Sequence, residues 1–253
     1  MSNQEDNFIM KKLLLAGVAA LGLSFGAMAD DNVAYVMQSG NNHTNDQYQT
    51  GQRNNAYATQ SGSYNENSQR QTGNDNRANV AQTGTRNTAA QAQSGSRNNG
   101  NGTWYGAGAV IDQRGGSYNA ATQNQGGNEN AARALQIGGT RNRIEQTQSG
   151  NENNAHATQD NSTDSRITQR QHGLGSTVIA YQGSAANSII EQTQNSGYRN
   201  TADSKQEYGS NMRAYITQGG GDWNRANTDQ RGHNLTATAM QSGSNNTSNQ
   251  YQR

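Results

Sequence analysis

The side chains in this sequence that could do chemistry are overwhelmingly primary amides. Groups that ordinarily catalyse or bind metals are sparse. There is no Cys, which removes disulfides and thiolate metal sites. His43, His156, His172 and His233 are scattered, share no repeating position, have no companions at metal-ligand spacing and read as surface or turn residues. Gly219-Gly220-Gly221-Asp222 resembles one turn of a calcium-binding β-roll, but that motif must iterate and here it occurs once. No position repeats Asp or Glu toward an interior, as the clustered carboxylates of a parallel β-helix enzyme would require. Thr50, Thr72 and Thr83 fall at turns and do not form the T-x-T rows that match ice. Triplets such as Asn42-His43-Thr44 fit a glycosylation acceptor, but chance supplies them in a chain this rich in Asn. The reading is a non-enzyme with no cofactor and no metal.

The amides recur at a fixed interval. Counting each unit from a glycine at position 0, Gly40, Gly51, Gly62, Gly73, Gly84, Gly95 and Gly106 are spaced by eleven. The count continues, with small slips, through Gly116, Gly127, Gly139, Gly150, Asn161, Gly173, Ser184, Gly197, Gly209, Gly221, Gly232 and Gly243, giving nineteen units. Position +3 is usually Asn, as at Asn54, Asn65, Asn76, Asn87, Asn98, Asn119, Asn130, Asn142, Asn153, Asn187, Asn200 and Asn224. Position +5 is small or branched, as at Ala56, Ala78, Ala89, Ile144 and Ala226. Position +9 is Gln at Gln49, Gln60, Gln71, Gln82, Gln93, Gln125, Gln136, Gln148, Gln159, Gln182, Gln206, Gln218, Gln230, Gln241 and Gln252. Positions +3, +5, +7 and +9 therefore form one face with the period of a strand. Glycine and its small polar neighbours supply the turn.

Position +7 reveals a longer unit. Gln47, Gln69, Gln91 and Gln113 stand 22 residues apart, with the smaller Ala58 and Val80 between them. Ile144-Glu145-Gln146-Thr147-Gln148 returns as Ile167 to Gln171 and Ile190 to Gln194, 23 apart. The unit is thus strand-turn-strand-turn with two slightly different halves. An eleven-residue period also suits a right-handed helical coil. That reading fails, because glycine at each repeat would cost a helix about 1 kcal/mol every time.

These positions dictate the elements that must hold them. Only 29% of the chain is hydrophobic and 15% charged, too little apolar surface for an ordinary core. Asn/Gln-rich polarity without any Pro nevertheless favours β-stacking over disorder. The expected fold is all-β: a flattened β-solenoid of about ten 22-residue strand-turn-strand rungs, stacked about 4.8 Å apart and on the order of 45–50 Å long. Stacking sets Gln over Gln and Asn over Asn, so that amide ladders satisfy each other in a small polar core. Alanine at +5 lets the two strands approach closely. A net charge of +1 argues against nucleic acid and anionic membrane as partners.

The N-terminus is different. Lys11 and Lys12 precede the apolar run Leu13 to Leu23, followed by Ala27-Met28-Ala29. This is the pattern of a secretory signal peptide over residues 1–29, with Met10 an alternative start, and it places the mature chain, residues 30–253, outside the cytoplasm as one solenoid domain.

The pattern Q-x-G-x-x-N-x-A-x-x-x-Q, met in full at Gln82, Gly84, Asn87, Ala89 and Gln93 and at Gln71, Gly73, Asn76, Ala78 and Gln82, resembles the curlin repeat, and the resemblance runs over residues 34–253. Curlins build curli, the extracellular functional amyloid of bacteria. The resemblance implies a subunit that crosses the periplasm with accessory proteins, leaves through a dedicated outer-membrane pore and joins cell-surface biofilm fibres with copies of itself and a nucleator or other curli subunit. The array is about twice as long as the five repeats of familiar curlins, and the segment Asp30 to Met37 before it is short. Regular Gln-rich repeats favour the major subunit, with the nucleator as the alternative.

The first strand (Ala34, Val36, Gln38) and the last (Ser248, Gln250, Gln252) keep the repeat pattern, so each end is expected to template the other end of another copy. The competing class is a soluble solenoid that binds a repetitive surface such as glycan or ice. Arg53, Asp75, Arg86, Arg97, Glu129, Arg141, Glu152 and Arg199 occupy the turn tip at +2, with Asp46, Asp164 and Asp203 near other turns. They read as solvated turns, or more sharply as gatekeepers against premature assembly. Trp104, Tyr105, Tyr118, Trp223 and the other tyrosines are expected outward or at turns. Residues 99–111 are the poorest copy of the repeat.

Overall fold

A computed structural model of the protein describes residues 31–98 and 108–253. The expected signal segment and Trp104, Tyr105 and Gly106 lie outside the described residues. All regular structure described is β, in two parallel sheets. The first sheet contains β1 (Val33–Asn41), β3 (Asn55–Ser63), β5 (Arg77–Thr85), β7 (Ala109–Arg114), β9 (Ala131–Ile137), β11 (Asn154–Asp160), β13 (Thr177–Ala186), β15 (Thr201–Ser210), β17 (Arg225–His233) and β19 (Thr247–Gln252). The second contains β2 (Thr44–Thr50), β4 (Glu66–Asn74), β6 (Thr88–Ser96), β8 (Ala120–Asn128), β10 (Arg143–Asn151), β12 (Arg166–Leu174), β14 (Ile189–Gln194), β16 (Arg213–Gly219) and β18 (Thr236–Ser242). Each strand pairs only with strands one coil away. The chain alternates between sheets at every turn, which makes nine full coils and a half of a β-solenoid.

Register follows the repeat. Ala56, Ala58 and Gln60 pair with Ala78, Val80 and Gln82, and Ile144, Gln146 and Gln148 with Ile167, Gln169 and Gln171. Side chains at +5, +7 and +9 alternate with exposed ones and point between the sheets, as the period-two pattern requires. Their burial is nearly complete: Ala56, Val80, Ile144, Ile167 and Gln82 are all at 0% exposure.

The corners are formed by left-handed residues. Gly73 has φ +110° and Gly95 +106°, and the residue at +2 lies near +55°, as in Arg53, Asp75 and Arg97. At position 0, stacking itself demands glycine: a Cβ on Gly73 would stand 1.9 Å from the carbonyl oxygen of Gly95 in the next coil. The strands continue through many of these glycines, so the bend comes later than a glycine-centred turn would give.

Five expected positions are corrected by the register. Asn161 and Ser184 do not occupy position 0. The stacked column there runs Gly116, Gly139, Ser162, Ala185, Gly209, because the bridges join Ser117 to Thr140, Thr140 to Thr163 and Thr163 to Ala186. Asn161 and Ser184 instead take the positive φ one residue earlier, which lets Ser162 and Ala185 carry a side chain. Asn187 consequently sits at +2, not +3, and Ser188 takes the ladder position. Gln113 sits at +9, not +7, paired with Gln82 and Gln136. Gln82 and Gln113 are 31 residues apart, where coils in the rest of this relay span 22 to 24. Asn98 and Gly108 hold successive positions of one coil, so residues 99–107 are an addition to the repeat and Gly106 marks no unit of its own.

Replacing Gly73 with Ala is expected to lower the unfolding free energy measured in urea by roughly 1–3 kcal/mol or more, since the backbone oxygen of Gly95 must give way. Gly115→Ala, whose Cβ would meet nothing within 4 Å, should cost less. Equal losses would show that φ alone, and not coil stacking, dictates the glycines.

Candidate functional site: stacked amide ladders

Because each coil repeats the last, nearly every inward amide lies over another. In the first sheet Nε2 of Gln38 donates to Oε1 of Gln60, and the relay passes through Gln82, Gln113, Gln136, Gln159, Gln182, Gln206 and Gln230 to Gln252 at 2.7–2.9 Å. The second sheet carries the matching relay from Gln49 through Gln71, Gln93, Gln125, Gln148, Gln171, Gln194 and Gln218 to Gln241. The repeat pattern identified most of these. Gln113, Gln171 and Gln194 were not counted at +9 by sequence, because slips in the glycine spacing displaced their count, and Gln38 precedes the first counted glycine.

A second amide donor hydrogen reaches across the core. Gln82 Nε2 also meets the carbonyls of Glu66 at 3.0 Å and Asn87 at 3.1 Å, while Gln82 Oε1 accepts from Gln60 at 2.8 Å. The cross-contacts tie the two sheets together and remove the cost of burying an amide.

The Asn residues at +3 do the same at the corners. Asn54 N–H donates to Oδ1 of Asn32 at 2.8 Å, its Nδ2 to the carbonyls of Thr50 and Gly73, and its Oδ1 accepts the N–H of Asn76. This edge runs on through Asn98, Asn130, Asn153, Ser176, Asn200 and Asn224 to Asn246. The opposite edge begins at His43, whose Nδ1 lies 3.3 Å from the N–H of Asn65, and continues through Asn87, Asn119, Asn142, Ser165 and Ser188 to Met212. His43 is thus a buried ladder member rather than a surface residue.

Position +7 is asymmetric. The second sheet carries a third relay, Gln47, Gln69, Gln91, Gln123, Gln146, Gln169 and Gln192, opposite Val36, Ala58, Val80, Ile111, Ala134, Ala157 and Ala180. The polar column then crosses the core. Gln192 Nε2 donates to Ser204 Oγ of the first sheet at 3.0 Å, Thr228 joins Ser204, and Gln250 follows, while Ile216 and Ala239 make the second sheet apolar. No repeat count anticipates this exchange.

The exposed edges stack charges and rings. Arg53 pairs with Asp75, Arg97 with Glu129 and Arg141 with Asp164, each across one coil. The hydrogen bonds from Arg53 and Arg141 hold the carboxyl groups of Asp75 and Asp164 below the ordinary range. Exposed pairs of this kind add little stability but prevent like-charge columns. Arg86 lies 5.1 Å from the ring of Tyr64 and 5.4 Å from that of Tyr118, and Arg199 lies 4.6 Å and 5.0 Å from those of Tyr198 and Trp223. Among the described residues no group of three or more His, Cys, Asp or Glu could hold a metal ion.

Two outcomes follow. Gln82→Leu would leave Gln113 Oε1 buried without its donor, and is expected to destabilise the solenoid by about 1–3 kcal/mol in urea unfolding. The outward Ala81→Ser should change stability by no more than about 0.5 kcal/mol. His156 is held below the ordinary imidazole range, first by burial and second by the charge of Arg133. The unfolded chain therefore takes up a proton that the folded chain refuses. Stability should fall as pH drops below about 6.5 toward the lower folded-state value, and His156→Gln should flatten that slope in amide-exchange measurements. Comparison with protein-family models and with curated proteins gave no match.

Proposed function

We propose that this chain is a structural subunit of an extracellular functional amyloid of the curli type, which polymerises by adding solenoid coils end to end. The observation that carries the reading is the open ladder. Every Gln relay runs in one direction, donor toward the later coil, and the first coil holds Gln38 Oε1 and Gln47 Oε1 buried without partners. Such atoms are costly unless something donates to them. The strands β1, β2, β18 and β19 have a neighbour on one side only, among the described residues. Sheet edges left open in this way are templates for another chain.

On this reading the partners are further copies, a nucleator or second fibre subunit, periplasmic accessory proteins and an outer-membrane pore, and the product is a cell-surface fibre serving the biofilm matrix and adhesion. Assembly needs no catalytic group and no energy source beyond burial and hydrogen bonding. The alternative of a soluble solenoid that binds a repeating glycan has one observation in its favour, the Arg and aromatic side chains stacked along both edges.

The test uses residues 30–253 freshly freed from denaturant, with thioflavin fluorescence followed in time with and without fibre seeds. A lag abolished by seeds, and a fibre reflection near 4.7–4.8 Å, are expected. A chain that stays monomeric with a stable β signal would transfer the proposal to the glycan-binding alternative.

A further inference from the structure

The geometry points to a specific junction between copies, in which each subunit is rotated by about a half turn about the fibre axis, so that β1 of one copy stacks on β18 and β2 on β19 of the copy before it. This inference rests on the stacking reading above and adds the register. The described solenoid has nineteen strands, an odd number, and ends in the first sheet with β19. Continued along the coil, the strand position after β19 lies in the second sheet, above β18. A copy placed by translation alone, β1 on β19, would leave that half coil empty. A copy turned by a half turn fills it with β1 and then places β2 above β19.

The core supports the same register independently. At +7 the first coil is apolar in β1 (Val36) and polar in β2 (Gln47), whereas the last strands are apolar in β18 (Ala239) and polar in β19 (Gln250). Position +5 repeats this, with Ala34 and Asn45 at one end and Ala237 and Ser248 at the other. The half turn places Val36 on Ala239, Ala34 on Ala237, Gln47 on Gln250 and Asn45 on Ser248. Translation would set Gln47 on Ala239 and Asn45 on Ala237.

The hydrogen bonds discriminate further. Three buried polar atoms of the first coil have no partner: Gln38 Oε1, Asn45 Nδ2 and Gln47 Oε1. Gln relays run donor to later coil, so Gln241 Nε2 would supply Gln38 and Gln250 Nε2 would supply Gln47. The Asn67 to Asn45 bond runs the opposite way, from Nδ2 of the later coil to Oδ1 of the earlier. Asn45 Nδ2 would accordingly donate to Ser248 Oγ. In the translated register Gln38 is supplied by Gln252, but Asn45 and Gln47 remain buried against alanine methyls. The crossing of the polar column at Gln192 and Ser204 is what makes the two ends compatible after an odd number of strands.

The test exploits the absence of Cys from the sequence. Met37 in β1, Met240 in β18 and Tyr251 in β19 all point outward at +8, with exposures of 38%, 78% and 68%. Neighbouring strands stand about 4.8 Å apart, within the Cα separation of about 4.4–6.8 Å that a disulfide bridges. Fibres of the Met37→Cys/Met240→Cys chain, residues 30–253, should oxidise to a ladder of covalent multimers, and those of Met37→Cys/Tyr251→Cys should stay largely monomeric after denaturation. Cross-linking through Tyr251→Cys instead, through both equally, or through neither in fibres that form, would overturn the half-turn register while leaving stacking intact. Failure of the unaltered chain to form fibres would remove the stacking reading and the junction with it. Should the double variants alone fail to assemble, a side-chain-resolved map of unaltered fibres decides: Val36 over Ala239 supports the junction, and Val36 over Gln250 overturns it.

Discussion

A buried primary amide is tolerable only if both its donor hydrogens and its acceptor oxygen find partners, and everything else in this protein serves that requirement. In-register parallel stacking meets it by repetition, since each later coil accepts what the coil before it donates. The same register obliges neighbouring coils to hold identical side chains at identical heights. It explains why glycine recurs at position 0, where a Cβ would collide with the backbone of the next coil. It also explains why coils of 22, 23 and 24 residues coexist. Additional residues are absorbed at the corners, and the ladder positions never slip.

The register also explains the asymmetry between the sheets. As far as Gln192 the second sheet brings amides at both +7 and +9 and the first brings Ala, Val or Ile at +7 opposite them, and beyond it the two exchange roles at +7. Aliphatic burial and amide ladders thus share each coil, so a chain of low overall hydrophobicity still encloses Ile111, Ile144, Ile167 and Ile190. At the corners Asn performs two tasks, linking coils through its own backbone N–H and capping the carbonyls of the turn through Nδ2. Ser176 and Ser188 take over the first task where Asn is missing, with a hydroxyl in place of the amide oxygen.

Function in this reading is a consequence of periodicity rather than of a site. In the Gln relays each interior amide oxygen accepts from the coil before it, and in the first coil Gln38 Oε1 and Gln47 Oε1 have no such donor. The mixed charges and Arg-aromatic stacks lie on the corner edges and on the outer faces of the sheets, outside the core. They leave the stacking direction governed by backbone, amide and small apolar groups, while the edges set solubility and contacts with the surroundings.

The amino-acid sequence by itself determined the fold class, the two-strand unit, the inward face and most of the ladder. Those features depend on residue type and on a period of two, both visible along a chain. Tertiary structure decided the phase wherever the chain offers two similar residues in succession. Asn161 and Ser162, or Ser184 and Ala185, are equally plausible at a corner, and only the bridges to neighbouring coils choose between them. The added residues 99–107 were hidden because Gly106 fell on an eleven-residue count, and only the pairing of Gln82 with Gln113 exposes them. His43 and the crossing of the polar column from Gln192 to Ser204 were likewise beyond sequence reasoning. Each is a contact between residues at least twelve positions apart, and sequence spacing records which positions are alike, not which of them touch.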